Sequence, residues 1–135
     1  MVQLLNKNIL EEEEKMSMFC FQCEQTAGGK GCTKVGVCGK KPEVANMQDE
    51  LTSSLIELAR ASKGRCSSEE ALKLMLEGLF TTVTNVSFDE EEINVLKKKI
   101  QALTISLGVS ENFDSEALWT GNEDVVSLRS TLLLQ

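Results

Sequence analysis

PEVANMQDELTSSLIELARASKG, residues 42–64, decides the fold. Val44, Met47, Leu51, Leu55, Leu58 and Ser62 recur at steps of 3, 4, 4, 3 and 4, the spacing that aligns side chains on one face of an α-helix. Pro42, the chain's only proline, suits a first helical position, where its missing N–H would have no partner anyway. Gly64 suits the left-handed residue that closes a helix. The pattern predicts a helix over about 43–62 with this stripe toward a core.

Downstream, the same logic predicts two more helices. Ser67 and Glu70 have capping-box spacing, and Ala71, Leu72, Met75, Leu76, Leu79 and Phe80 form a second stripe reaching about Asn85. Asp89 is placed as an N-cap with Glu92 three residues on, and Phe88 is placed to staple against Ile93. Ile93, Leu96, Ile100, Leu103 and Leu107 then run to Gly108. Three amphipathic helices with short connections favour an antiparallel bundle. After a polar segment, Asn122 can cap a last helix carrying Val125, Val126, Leu128, Leu132 and Leu133, which ends on apolar residues as though unfinished. No segment alternates with strand period. The expected fold is all-α: a three-helix bundle over 43–108, a linker and further helix over 109–135, a Gly/Cys-rich loop over 18–42 and an acidic extension over 1–17.

Upstream of Pro42 the character changes. Between Met18 and Lys41, five of the chain's nine glycines alternate with four of its five cysteines, and no hydrophobic period persists. So flexible a segment has too few apolar groups to offset the entropy of ordering it, so it needs something to hold it. Cys20, Cys23, Cys32 and Cys38 follow a C-x2-C-x8-C-x5-C pattern. A C-x2-C pair lets two thiolates reach one metal centre from one turn, and two more sulfurs complete four-fold ligation of zinc or an iron-sulfur cluster. Structural zinc sites usually pair two short knuckles, whereas the second spacing here suits a larger object. Zinc and a redox thiol or disulfide role stay open behind iron-sulfur at this point.

Charge points the same way. The chain has net charge −7, but residues 18–42 carry a local +3 from Lys30, Lys34, Lys40 and Lys41 against Glu24. Lysines and glycine-exposed backbone N–H groups there would stabilise an anionic cluster and tune its potential, as they would a zinc tetrathiolate. The acidic whole argues against nucleic-acid binding. No apolar run is long enough for a membrane span, and the acidic run Glu11–Glu14 interrupts the N-terminus where a signal peptide would be apolar. The cytoplasm is the expected compartment. With no histidine to act as base, a nucleophilic-cysteine enzyme has little support, and Cys66 reads as an incidental or structural thiol. No catalytic residue is singled out, and Trp119 reads as a packing anchor.

The segment MFCFQCEQTAGGKGCTKVGVCGKKPEVANM, Met18 to Met47, closely resembles the N-terminus of the hybrid-cluster proteins, also called prismane proteins or hydroxylamine reductases. The likeness continues in LEGLFTTVTNVSFD, Leu76 to Asp89, and resumes in GNEDVVSLRSTLL, Gly121 to Leu133. It implies that Cys20, Cys23, Cys32 and Cys38 ligate a proximal cluster. The short cysteine spacing resembles the branch in which that cluster is 4Fe-4S, a longer spacing marking the 2Fe-2S branch. It also implies an all-helical N-terminal domain of two three-helix bundles, of which this chain resembles the first and the opening of the second. The family's catalytic hybrid cluster takes a histidine, glutamates and further cysteines from later domains, so this chain alone is not expected to catalyse.

The expected function is an iron-sulfur electron-transfer module that passes electrons to a second centre in a larger protein or a partner subunit, within a larger complex. The alternatives are a fragment or truncated form of a hydroxylamine reductase, and a zinc-stabilised protein-binding module. A 2Fe-2S cluster or zinc is the alternative cofactor.

Overall fold

The computed structural model describes residues 17–65, 68–83, 87–109 and 113–134. Most of the 1–17 extension, Cys66 and Ser67, and the expected helix end at Asn85 lie outside the described residues. Four α-helices form: α1 (Pro42–Ser62), α2 (Glu69–Thr82), α3 (Glu90–Ser106) and α4 (Glu123–Leu134). Short 3-10 turns lie at Ala27–Gly29 and Ser115–Leu118. Among the described residues the only β pairing is one isolated bridge, so the protein is all-α with a helical bundle. No described helix is long and apolar enough to cross a membrane.

The first helix starts on Pro42, as its chemistry dictates, and packs against both α2 and α3. Side-chain pairings set the directions. Gln48 donates to the Thr81 and Ser87 carbonyls while Leu55 faces Gly78, so α2 runs antiparallel to α1. Glu50 pairs with Lys97 and Ser54 with Gln101, so α3 returns parallel to α1. Val44, Leu51, Leu55 and Leu58 of the first stripe meet Leu74, Ile93 and Ile100 in one core, with Met47, Leu96, Leu103 and Leu107 at its margin. The stripe understates α1, because Ala45, Gln48, Thr52, Ser53, Ser54 and Ala61 are buried as well. The hydroxyls of Thr52, Ser53 and Ser54 donate to the carbonyls four residues back, which lets polar side chains sit inside.

The second helix corrects part of the expected stripe, of which Ala71 is buried and Met75 packs at the core margin. Its buried residues are Ala71, Leu74, Gly78 and Thr82, whereas Leu72, Leu76, Leu79 and Phe80 are exposed, Leu76 at 70% and Phe80 at 67%. Gly78 gives the reason. A Cβ there would lie 2.6 Å from Leu55 Cδ2, so α2 approaches α1 closely at this small residue, and Leu72, Leu76, Leu79 and Phe80 turn outward while Leu74 stays in the core. The N-cap also moves by one: Ser68, not Ser67, accepts the Ala71 N–H. For α3, Asp89 caps as expected through the Glu91 and Glu92 N–H groups, and Gly108 supplies the positive φ after its C-terminus. Phe88 is 40% exposed, while Ile93 is fully buried in the bundle core.

Asn122 caps α4 by accepting the Asp124 N–H. Of the apolar residues expected inside on this helix, Val126 is buried, but Leu128 is 69% and Leu132 74% exposed. Arg129 ties α4 to the preceding turn by donating to the carbonyls of Ala117, Leu118 and Thr120.

Candidate metal centre

The cysteine loop lies against the N-terminal end of α1, where Met18, Cys32 and Ala45 form a small buried cluster with Cys20 beside it. Two backbone hydrogen bonds join Cys20 and Cys32 as an antiparallel pair, N–H to carbonyl at 3.0 and 2.9 Å, and Met18 N–H adds a third bond to Thr33. Opposed backbones bring the first and third cysteines of the pattern together. The intervening chain doubles back through the Ala27–Gly29 turn, where Gly28 and Gly29 adopt φ of 60° and 67°. These conformations strain any residue with a Cβ.

The fourth cysteine lies on a tighter turn. Gly39 N–H donates to Gly36 and Gly36 N–H to Lys40, both at 2.8 Å. A Cβ on Gly36 would come within 3.1 Å of Cys38 Sγ and 3.0 Å of Lys40 Cβ, so the glycine keeps room for the thiol. Cys20, Cys23 and Cys38 are partly exposed, while Cys32 is 5% exposed. Among the described residues no three cysteines or carboxylates are gathered closely enough to hold a metal ion as the loop stands.

The two paired thiols differ electrostatically. Burial raises the Cys20 thiol, the Cys32 and Cys23 sulfurs add to the rise, and a backbone hydrogen bond from Gln22 and the Lys40 charge oppose it. At Cys32 burial also works upward, but the backbone N–H groups of Ala27 and Val37, the Thr26 hydroxyl and Lys40 outweigh it and lower the thiol. Ala27 N lies 3.4 Å from Cys32 Sγ, and Thr26 Oγ1 lies 3.8 Å from it while donating to the Cys20 carbonyl. Such donors favour the thiolate, the form that binds metal.

Lys40 is 2% exposed, and its Nζ lies 4.0 Å from Cys20 Sγ. An ammonium taken out of water needs an anion beside it. Thiolates holding an iron-sulfur cluster would supply that charge, so the residues present fit such a group. Lys40 also lines a cavity of about 10 Å³ with Cys20, Gln48, Asp49 and Trp119. Burial raises the Asp49 carboxyl to about 7, with Glu50 adding to the rise. The nearby Trp119 indole N–H, although outside hydrogen-bonding geometry, and the Lys40 charge pull it back. Trp119 packs on Phe19 at 5.8 Å, and Phe19 stacks with Phe21 at 6.5 Å, so the tryptophan anchors the segment before α4 to the cysteine loop.

Asp49 makes stability depend on pH. A carboxyl raised above its ordinary 3.8 stabilises the folded state fully below that value, and the contribution is lost as pH rises to about 7. Between pH 5 and 8 wild type is expected to lose roughly 2–3 kcal/mol relative to Asp49→Asn. Urea midpoints of the two proteins across that range test this, and parallel curves would remove the carboxyl as the cause.

Thr26, Asp49 and the burial of Lys40 have no signature in the sequence, where Lys40 is one of four neighbouring lysines. The chain matches the model of the Prismane/CO dehydrogenase family over residues 18–134. It is 44% identical to a hydroxylamine reductase of Bacteroides fragilis over 118 residues, covering 80% of this chain and 21% of that protein. A hydroxylamine reductase of Syntrophobacter fumaroxidans is 48% identical over 87 residues, covering 62% of this chain and 16% of the relative. One from Desulfovibrio desulfuricans is 38% identical over 116 residues, covering 79% and 21%. The chain therefore spans about a fifth of the length of the curated relatives it matches.

Proposed function

The chain belongs to the Prismane/CO dehydrogenase family, and from that premise we propose that Cys20, Cys23, Cys32 and Cys38 bind a 4Fe-4S cluster and that the protein serves electron transfer in the cytoplasm. The observation that carries this reading is the Cys20–Cys32 backbone pair, with the Cys32 thiol held toward its thiolate by N–H donors from its own loop. When bound, the cluster takes up and releases one electron at a time. The chain's own residues shape that exchange. Gly28 and Gly29 let the loop turn back on itself, Gly36 keeps space at Cys38, and Met18 and Ala45 fix the loop to α1. A redox partner protein or subunit supplies the electron, which passes to a second centre outside these residues.

Anaerobic purification and reconstitution test this directly. The expected product holds about four irons and four acid-labile sulfides per chain, with visible absorption that bleaches on reduction. Two irons and two sulfides would replace the cluster type with 2Fe-2S. Stoichiometric zinc without iron or sulfide would overturn the electron-transfer reading in favour of a zinc-stabilised module.

A second reading, part of a longer hydroxylamine reductase, is favoured by exposed apolar surface. Leu72, Leu76, Leu79 and Phe80 are exposed on α2, Phe80 lining a groove of about 710 Å³ between α2 and α3, and Leu128 and Leu132 are exposed on α4. Apolar surface of this kind fits a protein face that more protein covers. Reduction of hydroxylamine would then require the remainder of the protein, and turnover by these 135 residues alone would contradict it.

A further inference from the structure

Lys40 is the one fully buried cation among the described residues, and it lies at the cysteine loop without being able to ligate a metal. We infer that Lys40 sets the reduction potential of the centre, its fixed charge making the arrival of an electron more favourable. This rests on the iron-sulfur reading above. The step adds one electron from an external one-electron donor to the oxidised cluster, so the site becomes more negative by one unit, with no bond made or broken. A positive charge beside that site lowers the free energy of the reduced state more than that of the oxidised state.

Position separates Lys40 from the other lysines of the loop. Its Nζ is 4.0 Å from Cys20 Sγ, and its charge acts on both Cys20 and Cys32. Lys30, Lys34 and Lys41 are exposed, where water and salt screen them. The backbone fixes Lys40 as well, since its carbonyl accepts the Gly36 N–H at 2.8 Å in the turn that carries Cys38. Asp49 on α1 faces the same ammonium across the shared cavity and takes part of its field.

The test is a redox titration of the reconstituted full chain, followed by visible absorption and by electron paramagnetic resonance of the reduced state. Lys40→Met keeps the apolar stem and removes the charge. It is expected to take up the same iron and sulfide as wild type while reduction becomes about tenfold less favourable, a midpoint about 59 mV lower for a one-electron couple. Lys40→Arg is expected to stay close to wild type, as is Lys34→Met. A fully loaded Lys40→Met protein with the wild-type midpoint would overturn the inference while leaving the cluster reading intact. If Lys40→Met does not load, Lys40→Gln replaces it. Failure of both neutral variants to load, with wild type loading, would overturn the tuning role in favour of assembly. Failure of wild type to take up iron would instead remove the cluster reading on which the inference rests.

Discussion

Cys32→Ser, reconstituted anaerobically, is expected to lose iron and sulfide by about tenfold or more relative to the unaltered chain, together with its visible absorption. Changes to residues that merely support a metal ligand already cost about 10–100-fold in affinity, and Cys32 is proposed as a ligand itself. A serine hydroxyl ionises far less readily than this thiol, which its N–H donors lower from the ordinary range, so iron would lose a soft anionic sulfur and meet a poor oxygen donor. The site cannot easily recruit a substitute. Cys32 is 5% exposed and lies in the cluster formed with Met18 and Ala45, so water has little access to the gap. Cys66→Ser serves as the comparison, because Cys66 stands outside the four-cysteine pattern, and it should load as wild type. Normal iron and sulfide in Cys32→Ser would remove this cysteine from the ligand set.

The second large effect is mechanical. Leu58→Ala is expected to destabilise the fold by about 3 kcal/mol, because Leu58 is fully buried between α1 and its neighbours and its truncation leaves a cavity. Against the roughly 5–15 kcal/mol that holds a typical domain folded, this is a large share. The urea midpoint should fall by roughly 1–3 M for a domain of ordinary denaturant sensitivity. The cluster should keep its potential in the folded protein. Leu58 is about 20 Å along α1 from Ala45, where the cysteine loop rests. A loss below about 0.5 kcal/mol would show that the helices do not converge at Leu58. A changed midpoint potential would show that the bundle and loop are not separable.

These two experiments address different layers of the molecule, and the layers differed in how far the sequence revealed them. On α1 and α3 the spacing of Val44, Leu51, Leu55 and Leu58, and of Ile93 and Ile100, identified the core face correctly. Large residues there fill the space between the axes. On α2 the same rule placed Ala71 and Met75 correctly but misplaced Leu72, Leu76, Leu79 and Phe80. Close approach at Gly78 leaves room only for small side chains against Leu55, and periodicity weighs apolar size without knowing the interaxial distance. On α4, Leu128 and Leu132 look like core residues in sequence but have no described partner to bury them.

The sequence by itself determined the helical class, the cap at Asp89, the turn-forming glycines and the resemblance carried by the four-cysteine segment. Each depends on neighbours a few residues away or on a linear pattern. Only the tertiary structure decided that α1 is buried on more than one face and that Leu72, Leu76, Leu79 and Phe80 of α2 are exposed. It also placed Trp119 against Phe19 and removed Lys40 from water beside Cys20. Burial and electrostatic pairing depend on chain segments distant in sequence, so four similar lysines in one loop become different only when α1 and the segment before α4 close over one of them.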